Sequence, residues 1–173
     1  GYSGTEDDKI LAPFIWRTHG SVETIALPLK AEGPDFVSIL RATFAGVFDS
    51  GDFVLTLSWN KTSDAPVGSW VYQGGVPTPV QANGENTAAQ VSTALATTNM
   101  IGNISGSGTS EGTGRAQWID GVPYILDDLT TQPAGVVLFT LRGITTEGVI
   151  VSTTPSIGNN AASPYVLALH PVG

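Results

Sequence analysis

The chain of 173 residues contains no cysteine. That excludes disulfides, thiolate zinc sites and a cysteine nucleophile. Basic residues are scarce: 7 Lys and Arg stand against 15 acids, for a net charge of -8. No basic cluster exists to neutralise phosphates, so DNA or RNA is not an expected partner. An anionic membrane surface would repel the chain for the same reason. Long apolar runs are missing too. "GVVLF" is far short of the ~20 residues of a membrane helix, and no membrane insertion is expected. Charged residues are only 13% and apolar residues 41%, a balance that argues against generic disorder. Histidine occurs twice, as His19 and His170, far apart in sequence. Each reads as a lone structural or surface residue rather than half of a metal site or triad.

What is present reads as β-structure. Residues 53–59, "FVLTLSW", alternate: Phe53, Leu55, Leu57 and Trp59 share one face, Thr56 and Ser58 the other. Residues 36–48 precede them across the turn cluster "DSGD", so the two arms predict a hairpin. Phe36, Leu40, Thr43 and Val47 also fit a helical spacing, and the first arm is read as strand. Residues 69–73 form a short strand. Residues 118–126 predict a hairpin around Asp120-Gly121, a pair that tolerates the positive φ of a tight turn. Pro123 cannot donate to a ladder and predicts an edge arm. Residues 136–144 and 148–153 predict another hairpin across "TTEG", and 165–170 a final strand. Residues 87–97 carry Ala88, Val91 and Leu95 at i, i+3, i+7 and are read as one short helix; Val91, Thr93 and Leu95 would line the strand alternative.

About nine strands with a turn signal every ten or so residues predict an all-β fold, an antiparallel sandwich or jelly-roll-like barrel. No strand–helix–strand rhythm suggests a nucleotide-binding α/β fold. The length suits a single β domain over 1–173. "GYSG" in place of Met suggests a fragment of a longer chain, and residues 1–9 are expected to be a flexible N-terminal segment. The Gly/Ser/Thr tract at 105–114 raises the question of a linker. Only about sixty residues follow it, marginal for an independent core, so a surface loop within one domain is the expectation.

Several constellations invite chemistry. "GTSEG" at 108–112 matches G-x-S-x-G but lacks the strand–turn–helix setting of a nucleophile elbow. "VFDSG" at 47–51 resembles an aspartic-protease signature without a second copy to share a proton, so Asp49 and Asp52 read as turn residues. Glu6-Asp7-Asp8 and Asp127-Asp128 read first as solvated acidic patches, since no calcium loop motif is present; calcium at Asp127-Asp128, between subunits, is the minority reading. No other cofactor is expected. Asn60 and Asn103 begin glycosylation sequons. Trp59, Trp70, Tyr72, Trp118 and Tyr124 could stack on sugars or anchor a partner. Trp59 fits the apolar face. Trp70, Tyr72 and Trp118 lie near Gly-rich loops and are the aromatic contact candidates, with core packing the weightier reading of each. Asn83, Ser107 and Thr109 are the polar ones, in loops over 64–69, 74–86 and 102–114 that offer backbone and hydroxyl hydrogen bonds.

"FVSILRATFAGVFDSGDFVLTLSWN", "VVLFTLRGITTEGVIVSTT" and "YVLALHPVG" give the chain a hairpin-rich, Thr/Val/Gly texture. In that texture it resembles the protruding domain of capsid proteins of small icosahedral RNA viruses, of nodavirus-like or tombusvirus-like type. The resemblance implies a compact β-domain on the virion surface, oligomeric as dimer or trimer, without enzymatic activity. It implies contacts with its own copies and with a host receptor or glycan. No family site residue carries over. A carbohydrate-binding or adhesin module of a secreted or phage-tail protein is the second reading, and a hydrolase using Asp49 the third.

Overall fold

The computed structural model describes residues 2–3, 12–16, 20–26, 39–59, 68–83, 87–106, 113–131, 140–153 and 166–170. Contacts divide the chain into two compact units, Gly1–Pro79 and Val80–Gly173. The architecture is all-β and sandwich-like; among the described residues all strand pairing is antiparallel and there is one short helix.

The first unit contains β1 (Tyr2–Ser3), β2 (Ala12–Trp16) and β3 (Val22–Thr24) in one sheet. Its other sheet runs β4 (Ile39–Val47), β5 (Phe53–Trp59), β6 (Gly68–Gln73) and β7 (Val76–Pro79). Register builds its core. Phe53 pairs with Tyr72 and Leu55 with Trp70, which puts all four on one face. The Phe53 and Tyr72 rings stack at 4.4 Å, and Phe44 meets Phe53 edge-on at 5.6 Å. Ile25, Ala42 and Leu57 complete the buried cluster, with Ile15 of β2 packed against it. On the opposite face, Thr56 and Ser69 are also cross-strand partners, and their hydroxyls meet at 2.7 Å.

The Tyr72 hydroxyl donates to the Ala26 carbonyl at 2.8 Å, tying the segment after β3 to β6. Burial pushes its phenol up to about 12. An unfolded tyrosine ionises near ~10, so between about 10 and 12 only the unfolded state gains the charge. Stability is therefore expected to be full below pH ~10 and to fall as pH rises toward about 12. Tyr72→Phe should lose about 1–2 kcal/mol at neutral pH, because the carbonyl is orphaned. Equilibrium unfolding across alkaline pH checks this: the variant should lack the wild type's decline attributable to this phenol.

The second unit has a four-stranded sheet in the order β11 (Val122–Ile125), β10 (Gly114–Ile119), β9 (Asn99–Gly106), β8 (Thr87–Ala96). Helix α1 (Leu126–Leu129) follows β11. A three-stranded sheet, β12 (Thr140–Ile144), β13 (Ile150–Thr153) and β14 (Val166–Leu169), lays β12 against β8 and β9. Ile101, Leu126, Leu141, Ile144 and Ile150 form the buried cluster there, joined by Leu95, Leu167 and Leu169. Every sheet pairs only sequence neighbours. This is a meander; among the described residues no barrel closes, and the Greek-key exchange of a jelly roll is absent.

The helix expected over 87–97 is a strand instead. β8 pairs with β9 from Thr87 to Ala96, with register shifts between Val91 and Thr93 and between Ala94 and Ala96. Each shift is a β-bulge, one extra residue that reverses which face the following side chains take. Ala89 and Val91 are thus buried on one face, while Leu95 packs into the cluster on the other. Apolar residues then recur at mixed spacings that imitate a helix. The bulged Ser92 uses its hydroxyl to donate to the Ile101 carbonyl at 3.2 Å. β4 has the same device at Leu40 and Ala45, within the helix-like spacing of Leu40, Thr43 and Val47; Phe36 lies outside the described residues.

The remaining expectations fare unevenly. The hairpins at 53–59 and 118–126 are present, as is the pairing of β12 with β13 across 145–149. Pro123 lies on the edge strand β11. β1, β2, β3, β7 and β9 are additional strands. β9 and β10 are adjacent partners, so the tract at 107–112 joins neighbours of one sheet. Residues 4–9 lie outside the described residues, while Tyr2 and Ser3 pair with Pro13 and Ala12.

Candidate interaction surface

The β10–β11 hairpin is built from its turn outward. Asp120 and Gly121 have φ of 51° and 82°, the double positive φ that a two-residue hairpin turn needs. The turn fixes Ile119 opposite Val122, Trp118 opposite Pro123 and Gln117 opposite Tyr124. Alternation then assigns two faces. Ala116, Trp118, Pro123 and Ile125 are buried. Ile119, Val122 and Tyr124 point the other way and are exposed, Tyr124 at 43%. Gln117 borders them, donating its amide to Asn99 Oδ1 at 3.2 Å. The sheet of β12 covers the β8–β9 half of this face and buries Ile101. The result is an apolar, amphipathic-tipped strip with a neutral amide rim and a turn carboxylate at its end. Such a strip suits a partner better than a reaction: a tyrosine ring offers area and one hydroxyl, and neutral amides adapt to donors or acceptors.

The aromatic contact candidates lie elsewhere. Trp70, Tyr72 and Trp118 are 7%, 1% and 0% exposed, so the structure places all three in the interior rather than at a surface. The reason is register: Trp70 and Tyr72 oppose Leu55 and Phe53 on the core face, and Trp118 sits on the inner side of its hairpin. The Trp118 indole donates to the Gln81 carbonyl at 2.6 Å. Trp16, at 74%, is the most exposed large apolar residue described, and its position was not singled out in the sequence. The Trp59 side chain, Ser107, Thr109, Asn60, His19 and residues 6–8 and 108–112 lie outside the description. Asn83 is half-buried, and its carbonyl accepts from the Thr87 hydroxyl at 2.9 Å. Asn103 and His170 are exposed.

The carboxylates are engaged in turns and clamps. Asp127 Oδ2 accepts the Arg115 backbone N–H at 3.0 Å and lies 3.7 Å from the Arg115 guanidinium. Asp128 is exposed on α1. Among the described residues no three acidic or histidine side chains converge as a metal group around Asp127 and Asp128 or elsewhere. Asp127→Ala should cost about 1–2 kcal/mol, mainly through the unpaired N–H at the start of β10. Denaturant unfolding measures it. Asp52 accepts from Ser50 Oγ at 3.0 Å and from the Gly74 N–H at 3.1 Å, joining two hairpin turns. Asp49 is exposed in the turn closed by Gly51 N–H to Phe48 carbonyl. At the β12–β13 turn, the Thr145 hydroxyl, then the Glu147 backbone N–H and the Thr146 hydroxyl, hold the Glu147 carboxyl below its ordinary range.

The strip at Ile119, Val122 and Tyr124 was legible only in part. Tyr124 belongs to the aromatic set read from sequence; its neighbours emerge once the Asp-Gly turn is used to set register. No protein family, curated protein or solved structure matches the chain.

Proposed function

We propose that the chain is a non-enzymatic, surface-exposed protruding domain of a viral capsid protein, which attaches to a host surface and contacts its own copies. The observation that supports it best is the outward strip of Ile119, Val122 and Tyr124 on a hairpin whose inner face is locked by Trp118. A rigid sheet presenting an exposed aromatic–aliphatic patch is how binding modules offer an anchor for a partner. Polar tight turns at Asp120-Gly121 and Thr146-Glu147 of the same unit, and at Asp49-Ser50 and Gly74-Gly75 of the other unit, are exposed tips for further contacts. The location that goes with this reading is the virion surface.

The sugar-binding adhesin reading draws on Trp16 and Tyr124, both exposed. They belong to different units, so they do not supply a row on one sheet. Secretion rather than a virion would be its setting.

Beads coated with many copies of the chain test the proposal on a panel of cell types. Adhesion to at least one, surviving removal of surface glycans by glycosidases, is the protein-receptor outcome. Adhesion abolished by those enzymes assigns a glycan receptor. Failure to adhere to any cell in the panel would overturn the attachment reading.

A further inference from the structure

Among the described residues four sheets have eight edges, and seven of them carry a device against pairing with another strand. β1 is two residues long, and β3 is three residues with Glu23 at its centre. β4 and β8 are each bulged twice, and β12 once, at the exposed Arg142. β7 carries Pro77 and Pro79, and β11 carries Pro123. β14 is the exception. "VLAL" has no proline, no charge and no register shift against β13, and it lies at the edge of its sheet.

We infer that β14 is a self-association edge, pairing antiparallel with β14 of a second copy of this chain. The occupant follows from three observations. The devices on the other edges act against strand addition, which selects β14 as the edge left open. Each copy carries net charge -8, so two copies approach at least cost along a strand with no charge of its own. The side chains also match. Leu167 and Leu169 pack into their own unit's core, while Val166 and Ala168 are exposed. A two-fold axis normal to the sheet requires paired residues to share a face. With the axis at Ala168, Ala168 meets Ala168 of the second copy, and Leu167 meets Leu169 of the second copy. Two three-stranded sheets then become one of six strands, and the leucine layer continues across the join.

A four-residue strand buries far less than the ~1,200 Å² of a stable interface. The dimer is therefore weak and reversible when free, and strengthened wherever many copies are held together. The inference stands on strand edges alone: failed adhesion leaves it intact, and a monomeric chain leaves adhesion intact.

Sedimentation velocity over a concentration series into the millimolar range tests it. The wild type should rise from the 17.9 kDa monomer toward twice that mass. Ala168→Lys, at an exposed site, should keep its fold by circular dichroism and stay monomeric throughout. Because the chain has no cysteine, Ala168→Cys introduces a single thiol, and mild oxidation should crosslink it at least about tenfold faster than Thr146→Cys, placed on an exposed turn. Constant monomer mass at every concentration would overturn the inference. So would self-association of Ala168→Lys equal to wild type, or equal crosslinking of the two cysteine variants.

Discussion

Trp118→Ala is expected to destabilise the Val80–Gly173 unit by about 3–5 kcal/mol. Trp118 has 0% exposure and is the largest fully buried side chain described. Its removal leaves a cavity the paired strands cannot close, because β10 is held between β9 and β11. It also orphans the Gln81 carbonyl, which now accepts the indole N–H at 2.6 Å. Trp118→Phe separates the two effects. It fills most of the cavity but cannot donate, so it should cost about 1–3 kcal/mol. Denaturant unfolding of the three proteins checks the order. A loss below 1 kcal/mol for alanine would mean that Trp118 does not hold this hairpin's inner face.

Gly102→Ala is expected to be as severe, by about 3 kcal/mol or more, for the opposite reason. Gly102 on β9 opposes Val91, the last residue before the Ser92 bulge. A Cβ at Gly102 would collide with the Gln90 carbonyl oxygen and sit 2.8 Å from Val91 Cα. Those are backbone atoms of a paired strand, so no side-chain rotation relieves them. Gly143→Ala is the control. It meets nothing within 4 Å and has no positive φ, so it should change stability by less than about 0.5 kcal/mol. If the two alanines behaved alike, the close approach of β8 and β9 would be wrong.

That approach also explains what the sequence hid. Alternation was readable where strands run without interruption, as in Phe53, Leu55 and Leu57, which share a face in the structure. It failed where a bulge resets the face, as at Ser92 in β8. There Val91 and Leu95 serve opposite faces of one strand, yet their spacing matches a helical stripe. β7 falls inside the loop expected over 74–86; its Pro77 and Pro79 are tolerated because the strand is at an edge. β9, "NMIGNISG", overlaps the loop expected over 102–114, whereas Gly102 is there for close packing. For the aromatic residues, nearness to glycine made Trp70, Tyr72 and Trp118 contact candidates, against core packing as the weightier reading; the strand register decides for the core and turns all three inward. The same register turns Tyr124 outward, so one rule accounts for both the core and the candidate surface.

Adhesion of a variant with Ile119→Ser, Val122→Ser and Tyr124→Ser tests the central claim most directly. All three side chains are exposed, so folding should persist, read by circular dichroism and the thermal midpoint. Bead-displayed variant should adhere to receptive cells about tenfold or more weakly than wild type, as expected when a central anchor is removed. A folded variant that adheres as well as wild type would contradict the assignment of this strip as the attachment surface.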